Sequence, residues 1–196
     1  QADPSARSCV GAIGFCATGS TPCPVNREGT PLALLPEFYE NPDAMFYLWK
    51  DHTAQRAAEK VNGVLANCGG QDFTRFQGKY ISEWFWAKIL HAAQESSCVA
   101  EQADTWIELC DWIPSLLSGR TLLSQLYRSA CAAGHKALWH SAWGGLPPRN
   151  CLAAIHPYLG WVYDHYAGVQ KPADQPAGVI SRAWSSRLSL PEDVII

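Results

Sequence analysis

Eight cysteines constrain this chain before any other feature does: Cys9, Cys16, Cys23, Cys68, Cys98, Cys110, Cys131 and Cys151. A structural zinc site needs tight pairs such as C-x2-C to preset its tetrahedron. None occurs, and neither does a CxxC redox pair or a CxxCH haem motif. An even count at wide, irregular spacing reads as four disulfides, and hence as an oxidising compartment; buried reduced thiols are the alternative. The pairing stays open, because eight cysteines allow about a hundred connectivities. Gln1 stands where an initiator methionine would, which agrees with a processed, exported product, and no apolar run is long enough to cross a bilayer. The expected location is periplasmic or extracellular.

A chain of 196 residues suits one domain, or one domain with an ordered arm, and can bury a real core. Its net charge is −3 and no basic stripe appears, so direct nucleic-acid binding is not expected. Charged residues make up only 17% while tryptophan reaches nine. That balance points to apolar surface covered in part by a partner protein.

Residues 1–42 are punctuated by proline, glycine and cysteine. The seven-residue interval of Cys9, Cys16 and Cys23 looks heptad-like, but Gly11, Gly14, Gly19, Pro22 and Pro24 forbid a helix. An irregular arm pinned by disulfides is expected there, followed over 43–196 by a helical domain. Asn41, Pro42 and Asp43 form a helix start, Leu48, Ala54, Ala57, Ala58, Val61 and Leu65 mark one face, and Gly69 is a stop. Phe85, Ile89 and Ala92 or Ala93 mark a second helix. A shorter one ends before Pro114, and Leu122, Leu123, Leu126 and Ala130 mark another. A last helix is expected near Arg182. The class is mainly α, with at most a small β element near 160–166.

Several chemistries compete. His135 and His140 stand five residues apart, and on a continuous helix such a step separates side chains by roughly 140°. The metal-binding helical pair is the four-residue step, so no metal site is assigned to them. A cysteine–histidine hydrolase could use Cys68 or Cys131 with His135. A carboxylate-pair hydrolase acting on cell-wall or polysaccharide substrates could draw on Glu37, Glu40, Glu83, Glu95 or Asp111 beside sugar-stacking tryptophans. Neither set is enforced by spacing, so no catalytic residue and no cofactor are assigned. Pro22-Cys23-Pro24 is similar to the cysteine-ligand motif of haem-thiolate peroxygenases, but the acidic motif that follows it there is missing.

The second half resembles the conjugative-transfer, mating-pair protein TraU and its relatives in integrative conjugative elements. The carrying features, within residues 80–187, are Cys98 followed sixteen residues on by Pro114, the ACAA run at 130–133, Cys151, Pro157 with Gly160-Trp161-Val162, and the 179–183 segment with Arg182. The resemblance implies a periplasmic, disulfide-rich structural protein of a type IV secretion apparatus, with envelope or secreted proteins as partners and no active site. In that setting PYLGWVYDHY at 157–166 is expected to form a strand. Tyr158, Trp161, Tyr163 and Tyr166 are its candidate partner-binding residues, although the chain's own helices could cover both faces.

Overall fold

The computed structural model describes residues 4–196 of the chain. After a single turn, α1 (Pro4–Arg7), the chain runs extended into strand β1 (Pro22–Val25), which pairs antiparallel with β2 (Thr105–Glu108). Two prolines in a four-residue strand look prohibitive. Their placement resolves the conflict. Thr21 and Val25 accept from the backbone N–H of Leu109 and Asp104 on the β2 side, whereas Pro22 turns its carbonyl outward to Tyr47. Successive residues alternate sides, so Pro22 and Pro24 both face the edge where no β2 ladder donor is required. Every residue of both strands is buried. Segment 1–42 therefore contributes a core strand.

Helix α2 (Gln55–Leu65) is shorter than the expected run. Asn41 does cap, accepting from Asp43 N at 2.9 Å, but the turn it opens is 3-10 and ends at Ala44. Leu48 is left outside the helix and exposed. Helix α3 (Phe85–Glu95) lies where expected and is the centre of the molecule, touching α2, β1, α4 (Ser97–Gln102) and α8 (Pro157–Asp164). Phe85, Trp86, Ala87, Lys88, Ile89, Leu90 and Ala92 are all buried, so its apolar surface wraps around it as in an enclosed helix.

Helix α5 (Leu109–Leu117) passes through Pro114 rather than stopping there. It follows β2 directly, so the stretch read as one short helix is a helix, a strand and another helix. Strand β3 (Tyr127–Ser129) pairs in parallel with β4 (Val169–Lys171), and α6 (Ala130–Lys136) continues from β3. The Ser129 side chain caps α6 by accepting from Ala132 N. Helix α9 (Arg182–Leu188) matches the last expected helix and is capped by Ser181.

The expected strand at 160–166 is helix α8. His156 caps it, accepting from Tyr158 N at 3.2 Å, and Pro157 occupies the first turn. Helix α8 packs on α7 (Arg149–Ile155) at Gly160, where a β-carbon would stand 2.9 Å from the Ala153 methyl. Glycine lets the two helices close. Leu159 and Val162 are buried in the main core, while Tyr158, Trp161, Tyr163 and Tyr166 are half-buried against it. Tyr158 accepts from Trp106 Nε1 at 2.9 Å.

The four-disulfide framework is corrected. Cys68 and Cys151 form a disulfide that ties the turn after α2 to α7. Cys16, Cys98 and Cys131 are exposed thiols, Cys110 is a half-buried one, and Cys23 is buried beside Val25, Ile107 and Leu126, a cluster without another cysteine. A small apolar thiol packs there as a core residue. Wide spacing in sequence could not separate that use from bridging.

Candidate functional site

Charge concentrates where the chain enters β1. Residues 19–21 meet Lys88 of α3, Lys136 at the C-terminal end of α6 and Glu108 at the end of β2. Lys88 projects from α3 with no exposed surface and donates to the carbonyls of Ser20 and Leu48, both at 2.6 Å. Glu108 accepts from Thr21 N at 2.6 Å through Oε2, while its Oε1 and the Ser20 hydroxyl are buried without a partner among the described residues. Ser20 takes φ of +68°, a left-handed conformation that costs a non-glycine residue about 1 kcal/mol or more. The two hydrogen bonds from Lys88 and to Glu108 fix that turn.

Lys136 is the last residue of α6. Its side chain lies against Gly19, and its ammonium stands 5.4 Å from the centre of the Trp84 ring. Glu83 precedes α3 on the same side. Its Oε1 lies 3.3 Å from His52 Nδ1, and the buried Ser82 hydroxyl is 3.5 Å from the same nitrogen. His135 packs its ring on Trp84 with centroids 5.2 Å apart.

Burial governs the electrostatics. It pushes the Glu108 carboxyl up to about 8, helped by Asp111, with Thr21 N–H and the lysines opposing. It pushes the Lys88 ammonium down to about 8, against the attraction of Glu108, Asp51 and Glu83. Lys136 is lowered by burial and held up by Glu108 and Glu83. Lys88, Glu108, Ser20 and Trp84 are buried, so the Lys136 ammonium as donor and the Glu83 carboxylate as acceptor are the groups of this cluster with exposed surface. A polyhydroxylated small molecule, whose every hydroxyl both donates and accepts, matches that mixture.

The sequence-derived candidates fall in three places. Glu37, Glu40 and Glu95 are exposed on the surface. Asp111 is interior, accepting from Ser129 N at 2.8 Å and pushed up to about 6 by burial, with Arg128 opposing. Arg128 is itself buried, donating to Ala167 and Trp106 carbonyls at 2.9 and 2.8 Å beneath Tyr166, so this network is a scaffold. Of the five carboxylates, Glu83 borders the cluster on the Lys136 side and Asp111 acts on Glu108 from within the scaffold. Cys68 is consumed by its disulfide, and Cys131 is exposed. Helix α6 ends at Lys136, so His135 and His140 are not on one helix; His140 stacks on Phe76, 4.4 Å between centroids. Among the described residues no group of three His, Cys, Asp or Glu side chains is placed to hold a metal ion.

Lys88, Glu108 and Lys136 were not among the candidates. The signal for Lys88 was present, since it is the one charged residue in the apolar run FWAKIL. Glu108 and Lys136 carry no such mark.

No protein-family model matches the chain. Among curated proteins it is similar to a ribulokinase of Vibrio parahaemolyticus, 48% identical over 192 residues, 97% of this chain and 34% of that protein. A ribulokinase of Geobacillus thermodenitrificans is 32% identical over 179 residues, covering 91% of this chain and 31% of the relative. One of Mycolicibacterium smegmatis is 31% identical over 188 residues, covering 95% and 32%. The chain thus spans about a third of the length of the curated relatives it matches. These matches run through nearly the whole chain, whereas the resemblance to TraU rested on short motifs in one part of it. They overturn that resemblance and the conjugation, type IV secretion and secreted structural role drawn from it, and likewise the secreted hydrolase kept as the alternative and the periplasmic or extracellular location read from the cysteines.

Proposed function

We propose that this chain is the sugar-recognising part of a ribulokinase, an enzyme moving a phosphoryl group from a nucleoside triphosphate to a hydroxyl of ribulose. The observation that carries the proposal is 48% identity to a ribulokinase along 97% of the chain. The lysine–carboxylate cluster around residues 19–21 supports it, because its donors and acceptors suit a polyol. In such a transfer the sugar hydroxyl oxygen bonds the terminal phosphorus, the bond to the bridging oxygen breaks so that the nucleoside diphosphate departs with that oxygen, and the hydroxyl proton passes to solvent. Catalysis is mostly positioning and charge stabilisation. Lys136 supplies a charged donor to a sugar oxygen, Glu83 an acceptor, and Trp84 a flat wall. Lys88 and Glu108 hold the turn that faces them.

The test uses the complete polypeptide in which this sequence occurs. Nucleoside-diphosphate release is measured with ribulose, with other ketoses and with no sugar. Ribulose should give the largest kcat/KM, and Lys136→Ala should lower it about 10- to 100-fold, the worth of one hydrogen bond from a charged donor. Absence of sugar-dependent release from the unaltered protein overturns the proposal.

A further inference from the structure

We infer that Tyr80 and Trp86 are positioning residues for Lys136, fixing the end of α6 so that the lysine stem lies on Gly19 and its ammonium beside the Trp84 ring. The inference rests on the sugar-site reading above and deepens it. A helix end leaves its last carbonyls without intrahelical partners, and a glycine commonly closes it in the left-handed conformation. The sequence after α6, ALW, has no glycine. Leu138 takes the left-handed position, with φ of +61°, and its burial holds it there. Ala137 N and Trp139 N both return to Ala133 O.

The exposed carbonyls are met from another segment. Gln77 Nε2 donates to Gly134 O at 2.8 Å, the Tyr80 hydroxyl donates to Lys136 O, and Trp86 Nε1 donates to Ala137 O at 2.8 Å. The Tyr80 hydroxyl also accepts from Trp86 N at 3.0 Å, which locks the two donors to each other. Both rings are fully buried, so neither has an alternative partner in water. The same segment, residues 77–86, carries Glu83 and Trp84. One stretch of chain therefore supplies two walls of the site and the clamp that registers Lys136 against them. A lysine side chain has a flexible end, and what the clamp controls is where its backbone starts.

Tyr80→Phe removes one hydroxyl and keeps the ring, and Trp86→Phe removes the indole N–H. Gln77→Met, at the half-buried rim, serves if either aromatic variant fails to fold, as judged by thermal melting. The readout is the rate at which an acetic anhydride probe labels Lys136, followed by peptide mass spectrometry against the exposed Lys60. In folded variants the Lys136-to-Lys60 ratio should rise about threefold as the amine leaves its contacts. KM for ribulose should rise on the order of tenfold with kcat changed less, as expected when a binding group is misplaced. An unchanged ratio in a folded variant overturns the inference. So does a raised ratio with an unchanged KM in a protein that phosphorylates ribulose. The labelling result stands whether or not ribulose is the substrate, so failure of the functional proposal shows separately, as no sugar-dependent turnover in the unaltered protein.

Discussion

The Cε methylene of Lys136 lies 3.3 Å from the point where a β-carbon on Gly19 would stand. Among the described residues, its chain neighbours aside, the other atom within 4 Å of that point is Lys136 Cγ at 4.0 Å. Gly19→Ala should therefore be absorbed by the lysine's flexible end, leaving Tm close to the unaltered protein. The ammonium moves by a few tenths of an ångström, and KM for the sugar should rise several-fold. A fall in Tm of more than about 5 °C would show instead that the turn cannot take a side chain.

The buried Glu108 and Lys88 set the pH dependence of stability. Glu108 has its folded value raised from 4.5 to about 8, so between those values the folded state holds a proton that the unfolded state has released. Stability then falls as pH rises from about 5 to 8, by at most about 1.4 kcal/mol per unit. Asp111, raised to about 6, adds to the fall at its lower end. Lys88, lowered from 10.5 to about 8, has the opposite slope above pH 8, where the unfolded state holds the extra proton. Denaturant unfolding across pH 5 to 9 should show a minimum near 8. Glu108→Gln mimics the protonated acid and keeps an acceptor for Thr21 N–H, so it should flatten the acidic limb. An unaltered slope in that variant would assign the fall to other groups.

Cys68 and Cys151 close a loop across a sequence separation of 83 residues. A bridge of that span contributes roughly 2–4 kcal/mol, and its loss should lower Tm by about 5–15 °C in a chain of this size. Cys151→Ser and reduction of the unaltered protein should give the same shift. Titration of denatured, unreduced protein should find at least the five thiols of Cys16, Cys23, Cys98, Cys110 and Cys131. Fewer would restore additional bridges.

Arg128 has no freedom to leave its burial, since its guanidinium reaches the Ala167 and Trp106 carbonyls and lies 4.3 Å from the Tyr166 ring centre. Arg128→Ala leaves both acceptors unmet and removes the charge that opposes the rise of Asp111. It should cost about 3–5 kcal/mol, read as a lower denaturant midpoint. A loss under 1 kcal/mol would mean that water replaces the guanidinium.

What the sequence settled alone was local. Helices α3 and α9 and the cap at Asn41 follow from periodicity and capping residues, interactions made within a few positions of one another, whereas α2 ends at Leu65, ahead of the expected stop at Gly69. The strands were hidden because β1 and β2 are buried on both faces, which erases the alternation that marks a half-exposed strand. Helix α8 looked like a strand because its aromatics are half-buried around more than one side, and its signal lay in His156 and Pro157 just ahead of it. Eight cysteines could not declare whether they bridge, since bridging depends on which turns meet in space. Only the tertiary structure brought Lys88, Glu108 and Lys136 around residues 19–21. Each lies on a different element, and a buried charge is stabilised by partners far along the chain, such as the Ser20 carbonyl for Lys88, that no local pattern specifies.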